Sequence, residues 1–211
     1  MADQVKKFIF PKARASFPFV LAPNNKAAVG DDGAPKEPRY ELTTLFKKTP
    51  GVSNWGADPG LKVFRDAYSE AVSEMYGPDK TKWPKLHPAV LDGDEYPNTD
   101  GCAGCWMIRM SATVRFPPIV LKRNKSVADP VKDEGLIYGG CYVDGKAHVW
   151  FNKNPKTKGF RFGMDVVRFV EDGERFGGSV SREEAVEGMP DLPDDLDSLD
   201  SAPANKDEDY F

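Results

Sequence analysis

The chain has 211 residues, of which 40% are hydrophobic, and its formal net charge is −4; this length suits one domain with room for an insertion or a tail. Glycine (19 residues) and proline (18 residues) are frequent, which favours short elements joined by turns and argues against a helical bundle. No apolar run approaches the roughly 20 residues that span a bilayer, and the first residues lack the apolar stretch of a signal peptide, so we expect no membrane partner and a cytoplasmic location.

Two runs near the N-terminus have the composition of β-strands. The first, Arg14–Leu21, is interrupted by Pro18, so we expect it at a sheet edge or a bulge, where no backbone N–H is needed. A polar loop over residues 22–39 follows. The second run, Tyr40–Lys47, is rich in β-forming residues and predicts another strand.

One helix is predicted, over residues 58–76. Asp58 is a fitting N-cap, an apolar stripe follows at helical spacing, and Gly77 ends the helix. Such a stripe favours a packing face. After a loop over 78–101, further strands are predicted at 106–114, 118–121, about 136–152 and 160–170. One helix among several strands predicts a mainly β fold, a barrel or sandwich with a helical insertion.

The run from Ile137 to Asn152 is compatible with two structures. Asp144-Gly145 resembles the two-residue turn of a hairpin, but a hairpin would mix apolar and polar side chains on each face. One continuous strand sorts them, with Val143, Gly145, Ala147 and Val149 among the residues of one face and Tyr142, Lys146, His148 and Trp150 among those of the other. We therefore favour one long strand, bent at its glycines, with the hairpin as the alternative.

The second face of this strand combines aromatic rings with cations. It carries Tyr138, Tyr142, Lys146, His148 and Trp150. Bases stack on such rings for about 1–3 kcal/mol each with little dependence on sequence, and cations follow the phosphates. The pattern predicts a surface for single-stranded nucleic acid. The alternative is that the helix or another sheet covers this face and the rings belong to the core.

A basic loop follows the same strand. It adds the candidates Lys153, Lys156, Lys158, Phe160 and Arg161, four cations and one ring that suit gripping phosphates and stacking a base. A solvated hairpin loop is the alternative. Arg14, Lys47 and Arg109 complete the predicted DNA-binding set. Arg109 is expected to point outward because it alternates with apolar neighbours.

Motifs for catalysis or for a cofactor are sparse. Cys102 and Cys105 have the spacing of half a zinc site, but only Cys141, His148 and His87 could supply further ligands. Three cysteines fit reduced thiols better than a disulfide framework. The usual hydrolase and nucleotide-binding motifs are absent. We therefore expect no catalytic residues, no metal and no cofactor, in a protein that is not an enzyme.

Charge is distributed unevenly along the chain. Residues 181–211 hold 11 acidic and 2 basic residues, a net of −9, whereas the remainder holds 27 basic and 22 acidic residues, a net of +5. This predicts a basic folded domain over 1–180 and a disordered acidic tail over 181–211. The tail ends in Asp207, Glu208, Asp209, Tyr210 and Phe211, a pattern that suits an apolar pocket with a basic rim on a protein partner.

Several segments resemble the phage-encoded single-stranded-DNA-binding proteins with an OB-fold. The resemblance is closest over Gly139–Lys146 and Val167–Gly178, and looser over Arg14–Pro23, Tyr40–Lys48 and Leu91–Asp94. It implies a five-stranded barrel, DNA bound in a groove across it, and a tail that recruits replication proteins such as polymerase, helicase or primase. It also implies a phage origin and the cytoplasm of a bacterial host. Relatives tend to have Asn with a small residue where this chain has Asp144-Gly145, and the two closely spaced cysteines are not part of the family pattern.

Two further functions remain open at this point. One is a protein-interaction module or a DNA-mimicking inhibitor that acts through the acidic tail. The other is a zinc-dependent enzyme. The expected partner is single-stranded DNA, and the chain is also compatible with a homo-oligomer.

Overall fold

Strands account for most of the regular structure. The protein is described by a computed structural model, which covers residues 6–25 and 37–178. In these ranges the elements are β1 (Lys7–Asn24), β2 (Arg39–Lys47), α1 (Lys62–Tyr76), β3 (Val90–Asp92), β4 (Cys105–Thr113), β5 (Ile119–Leu121), β6 (Tyr142–Asn152) and β7 (Gly159–Glu171). The predicted disordered tail and its end, Asp207–Phe211, lie outside the described residues, so the division at residue 180 stays a prediction.

Five of these strands close into a barrel, in the order β1-β2-β4-β7-β6 and back to β1. The neighbours pair antiparallel except for β4 and β7, which pair in parallel at Met110–Phe162 and Ser111–Gly163. The two short strands extend the sheet, β3 beside β4 and β5 beside β7. The predicted mainly β, five-stranded barrel with one helix is confirmed. None of the helices in the described ranges is long and apolar enough to cross a membrane.

The long first strand is bulged where the sequence predicts it. Pairing of β1 with β2 shifts register between Ser16 and Phe19, because Pro18 has no N–H to give to the ladder. Phe17 takes up the irregularity with a left-handed φ of 48°. The bulge turns its ring outward, and the side chain is 57% exposed.

The strand β6 continues through Asp144-Gly145 without a turn, so the hairpin is excluded. Its apolar residues Val143, Ala147 and Val149 are buried, as the alternation predicts. Gly145 is required here because a Cβ would stand 1.9 Å from the backbone oxygen of Val166 on β7.

The same strand begins later than predicted, at Tyr142 instead of Ile137. Gly140 has a φ of 109°, and a Cβ there would stand 1.9 Å from the backbone oxygen of Glu174. This left-handed turn breaks the strand, so Tyr138 does not share the face of the later residues.

The helix packs on the barrel core through Phe64. Its ring lies 5.1, 5.2 and 5.3 Å from the rings of Phe8, Phe162 and Phe46. The predicted packing face is therefore confirmed. A 3₁₀ turn at Pro59–Leu61 precedes α1, and Gly77, with a φ of 86°, ends it.

The buried Asp58 joins this helical segment to the barrel. Its carboxylate accepts hydrogen bonds from the backbone N–H and hydroxyl of Thr49, from the Gly60 N–H and from the Trp106 indole, each at 2.9 Å. Burial alone would raise the pKa of Asp58, but these hydrogen bonds outweigh it and lower the pKa below its ordinary value.

Candidate nucleic-acid interface

An open groove of about 460 Å³ lies on the outside of the barrel. Alternate residues of neighbouring strands face it, as the two-residue period of a strand requires. Its lining comprises Phe17 from β1, Arg39, Glu41 and Thr43 from β2, Arg109 and Ser111 from β4, Arg161 from β7, and Trp150 and Asn152 from β6, over the core residues Leu42, Met110 and Phe162. The groove therefore runs across the strands.

Barrel closure brings its charged residues together. Arg109 pairs with Thr43 across to β2, and the parallel pairing of Met110 with Phe162 sets Arg109 beside Arg161. Three guanidinium groups thus line the groove with one carboxylate, Glu41. The groove is a site of positive potential that favours an anionic ligand.

Two of these arginines are available to a ligand. Within the described residues neither Arg39 nor Arg109 has an acidic partner, and the guanidinium of Arg109 lies 5.6 Å from the ring of Tyr96. Glu41 accepts a hydrogen bond of 2.9 Å from Asn24. The donors of both arginines can therefore bind phosphate oxygens without breaking an ion pair.

The third arginine, Arg161, is held in place by hydrogen bonds to backbone oxygens. Arg161 donates to the backbone oxygen of Pro88 at 2.8 Å and to that of Thr157 at 3.3 Å. Burial lowers the pKa of Arg161, Tyr68 raises it, and Arg109 lowers it. A guanidinium stays protonated despite such shifts, so Arg161 presents a fixed positive charge.

Aromatic rings flank the basic part of the groove. Phe17 lies on β1, which pairs with β2, and the half-buried Trp150 lies on β6, which pairs with β7. The two rings therefore stand on opposite sides of the arginines on β2, β4 and β7. Rings separated by cations are the arrangement that stacks bases while holding the phosphates between them.

Three predicted site residues line this groove: Trp150, Arg109 and Arg161. The lysines Lys153, Lys156 and Lys158 lie in the exposed loop between β6 and β7. The amide of Asn152 donates to the backbone and hydroxyl oxygens of Thr157, both at 3.0 Å, which ties this loop to the groove.

Phe160, predicted as a stacking ring, belongs to the core. It is 3% exposed, and its ring lies 5.0 Å from that of Phe151 and 5.8 Å from that of Tyr68. The residue has inward parity on β7, next to the outward Arg161. It is therefore not accessible to a base.

The remaining residues of the β6 face lie outside the groove. Tyr142 points outward but is flanked by Lys12, 5.1 Å from its ring. His148 hydrogen-bonds through Nδ1 to Asp165 at 3.1 Å. Lys146 is exposed on the same strand. These three residues lie on the same strand as Trp150, but they are not among the residues that line the groove with it.

Arg14 and Tyr138 fasten the segment that follows β7. Arg14 donates to the backbone oxygens of Gly140 at 3.1 Å and of Glu174 at 2.7 Å, and its guanidinium lies 4.5 Å from the ring of Phe176. The Tyr138 hydroxyl donates to Asp172 at 2.8 Å. Both side chains therefore have structural partners.

Lys47, another predicted DNA-binding residue, also lies apart from the groove. It is exposed at the end of β2, opposite Cys105.

Besides the three core residues, six lining residues were not singled out from the sequence: Phe17, Arg39, Glu41, Thr43, Ser111 and Asn152. A signal for Phe17 was present, because a bulge at Pro18 reverses the facing of the residue beside it. Arg39 precedes the predicted strand by one residue and alternates with Glu41 and Thr43.

The two closely spaced cysteines pack in a small apolar cluster on the outside of β2 and β4. Cys102 is 0% and Cys105 8% exposed, with Leu45 and Met107 as buried neighbours. Burial raises the pKa of both thiols. Among the described residues no group of three side chains could hold a metal ion.

Comparison with known proteins identifies the family. The family model described as Enterobacter phage Enc34, ssDNA-binding protein, matches residues 6–197. The chain belongs to this family. The resemblance to phage-encoded single-stranded-DNA-binding proteins is thereby confirmed, although no curated protein sequence matches the chain significantly.

Solved structures of such proteins have the same fold. The ssDNA-binding protein of bacteriophage Enc34, in complex with ssDNA, is 26% identical with a TM-score of 0.59, over 81% of this chain and 88% of that chain. Gp2.5, the ssDNA-binding protein of bacteriophage T7, has a TM-score of 0.53 at 13% identity, over 90% of this chain and 97% of that chain. At that identity the likeness to gp2.5 shows the fold alone.

Proposed function

We propose that this protein binds single-stranded DNA without sequence preference, in the groove between Phe17 and Trp150, and has no catalytic activity of its own. The main structural support for DNA binding is the row of three arginines, Arg39, Arg109 and Arg161, between two rings on the outside of a closed barrel. The Enc34 relative, bound to ssDNA, supports the same ligand here.

The chemistry of the lining accounts for the absence of sequence preference. A base of any kind has a π-face, so stacking on Phe17 and Trp150 contributes about 1–3 kcal/mol per base whatever the sequence. Arg39 and Arg109 carry donors without an acidic partner in the described residues, and phosphate oxygens accept them wherever the backbone passes. Side chains on the outside of the barrel make these contacts with a strand whose bases are splayed apart. A duplex does not offer splayed bases, because its bases are paired and stacked on one another.

The loop between β6 and β7 extends the electrostatic contact. Lys153, Lys156 and Lys158 precede Arg161, and the hydrogen bonds from Asn152 to Thr157 hold the base of the loop beside the groove. We place these lysines on the phosphates. Tyr142, Lys146 and His148 contribute less, because they lie on the part of β6 outside the groove.

For the acidic tail we propose a regulatory and recruiting role in phage DNA replication, recombination and repair, in the cytoplasm of a bacterial host. Residues 181–211 carry a net charge of −9, opposite in sign to the groove, so the tail competes with DNA for it. Its end, Asp207–Phe211, contacts a replication protein such as polymerase, helicase or primase.

The test of DNA binding is a titration of the intact protein with an oligo-dT strand and with a duplex of equal length, at low and moderate salt. We expect quenching of tryptophan fluorescence by the single strand, weak duplex binding and a steep loss of affinity with salt. A Trp150→Phe variant should bind with less quenching. Absence of binding to both ligands would refute the proposal.

The test of the tail is removal of residues 190–211, with the oligo-dT titration repeated at low salt. We expect tighter binding, because a competing polyanion has been removed. Unchanged affinity would show that the tail does not compete for the groove, while leaving DNA binding itself intact.

A further inference from the structure

An exposed turn adjoins the groove at the end of β4. Thr113 is the last residue of that strand and pairs with the groove residue Arg39. The chain turns at once, with the N–H of Phe116 bonded to the oxygen of Thr113 at 3.0 Å. Residues 114–118 therefore lie on the rim of the groove, on the side of Arg39.

The turn displays an aromatic ring beside a cation. The side chain of Phe116 is 68% exposed, and the Arg115 guanidinium lies 5.3 Å from its ring. Arg115 makes no ion pair with any residue that the structure describes. Leaving a phenylalanine largely in water forgoes most of the free energy of burying it, and a base that stacks on the exposed ring recovers part of that free energy.

Two prolines fix this display. Phe116 precedes Pro117-Pro118, so its backbone is restricted to extended conformations and the next two φ angles are set near −65°. Pro118 is buried while Pro117 is exposed, which anchors the turn on one side only. The backbone that carries the ring thus has little conformational freedom left to lose on binding.

The surrounding charge favours a polyanion as the ligand. From Ser111 to Ala128 the sequence holds Arg115, Lys122, Arg123 and Lys125 and no carboxylate. Lys122 pairs with Asp133 at 2.8 Å, and the other three have no acidic partner among the described residues. A cation stacked on a ring repeats, on the rim, the chemistry of the groove itself.

We propose that the DNA strand that leaves the groove at its β1–β2 end, past Phe17 and Arg39, continues over this turn, stacking a base on Phe116 while Arg115 holds the adjoining phosphate. This second stacking point rests on the proposed function and extends it: nucleotides beyond the groove bind the rim. The ligand there is the same single strand, recognised by π-faces and phosphates without reading of base edges.

The test compares oligonucleotides that differ in length. OB-fold sites cover roughly 4 to 16 nucleotides, so oligo-dT of about 4 residues fills the groove alone and about 16 residues reaches the rim. We expect Phe116→Ala, in the full-length protein, to weaken binding of the long strand about 5- to 150-fold and to leave the short strand unchanged. The matched control is Ile9→Ala, since Ile9 is 67% exposed on β1 and does not line the groove.

A spectroscopic readout accompanies the affinities. A Phe116→Trp variant should show additional quenching with the long strand only, whereas Ile9→Trp should show none. Loss of affinity at both lengths would overturn the extension, because Phe116 would then act inside the groove. The extension would also be overturned if Phe116→Ala bound both the short and the long strand as tightly as the unmodified protein does. Failure of the unmodified protein to bind either strand would instead refute the proposed function.

Discussion

Phe17, which combines a strained backbone with an exposed ring, offers a test that separates binding from folding. Its φ of 48° costs a non-glycine residue roughly 1–2 kcal/mol. Phe17→Gly removes that strain but gives the unfolded chain more freedom, at about 0.4–1 kcal/mol. The ring is 57% exposed, so its loss forfeits about half of the roughly 1.5–3 kcal/mol for full burial. These terms nearly cancel, and the free energy of unfolding should change by about 1 kcal/mol or less.

Phe17→Ala keeps the strain and loses the ring. We expect it to be less stable than Phe17→Gly by about 0.5–1 kcal/mol. Both variants lose one stacking platform, worth about 1–3 kcal/mol, so affinity for oligo-dT should fall about 5- to 150-fold. Phe17→Tyr keeps the platform and should bind like the unmodified protein.

Two measurements decide this prediction. Urea unfolding gives the stabilities, and fluorescence anisotropy of a labelled oligo-dT gives the affinities. If Phe17→Ala bound DNA as tightly as the unmodified protein, the ring would not contact a base. If Phe17→Gly unfolded several kcal/mol more easily, the bulge would depend on packing that the exposed ring does not show.

Three further predictions concern charge and burial. Arg109→Ala should weaken oligo-dT binding and reduce the slope of log affinity against log salt by about 0.7, the value for one phosphate contact on a single strand. The control Lys62→Ala, on the helix, should change neither the affinity nor the slope. Equal slopes for both variants and the unmodified protein would show that Arg109 does not contact the DNA backbone. Asp58→Asn should lower the free energy of unfolding at pH 7 by roughly 2–4 kcal/mol, because the NH2 group that replaces one carboxylate oxygen leaves two of the four donors without an acceptor. Since the fold lowers the pKa of Asp58, this contribution is present above its unfolded pKa of about 3.9 and is lost as the pH falls through the folded pKa; a difference in stability that persisted in strong acid by urea titration would contradict the assignment. Burial raises the pKa of Cys141 to about 11, so a disulfide reagent at pH 8 should modify it only after unfolding, and rapid modification of the native protein would show that the site opens.

Local sequence rules predicted most of the elements, but not the short strand β3, Val90–Asp92, which lies within the predicted loop over 78–101. Pro18 predicts the bulge in β1, Asp58 and Gly77 bound the helical segment, and alternation along residues 142–152 separates the buried from the outward side chains of β6. Each of these depends on backbone conformation or on a two-residue period, which neighbours along the chain decide. The start of β6 was missed because Gly140 turns against Glu174, a residue far away in sequence.

The composition of the site needed more than alternation. Period two tells which side chains of a strand face outward, and Tyr142, His148 and Trp150 meet that criterion equally. Only Trp150 lines the groove, because it alone stands opposite Arg161 on β7. Outward facing is a property of one strand, whereas membership of a groove is a property of several.

The sequence by itself determined the mainly β composition, the single helix, the facing of most strand residues and the separation of a basic body from an acidic C-terminal segment. The tertiary structure decided which cations meet. Parallel pairing of β4 with β7 places Arg109 beside Arg161. Arg14 is equally basic, but it donates its hydrogen bonds to the backbone oxygens of Gly140 and Glu174. The reason is physical: facing follows from the local geometry of each strand, but proximity across a barrel follows from how distant strands close it.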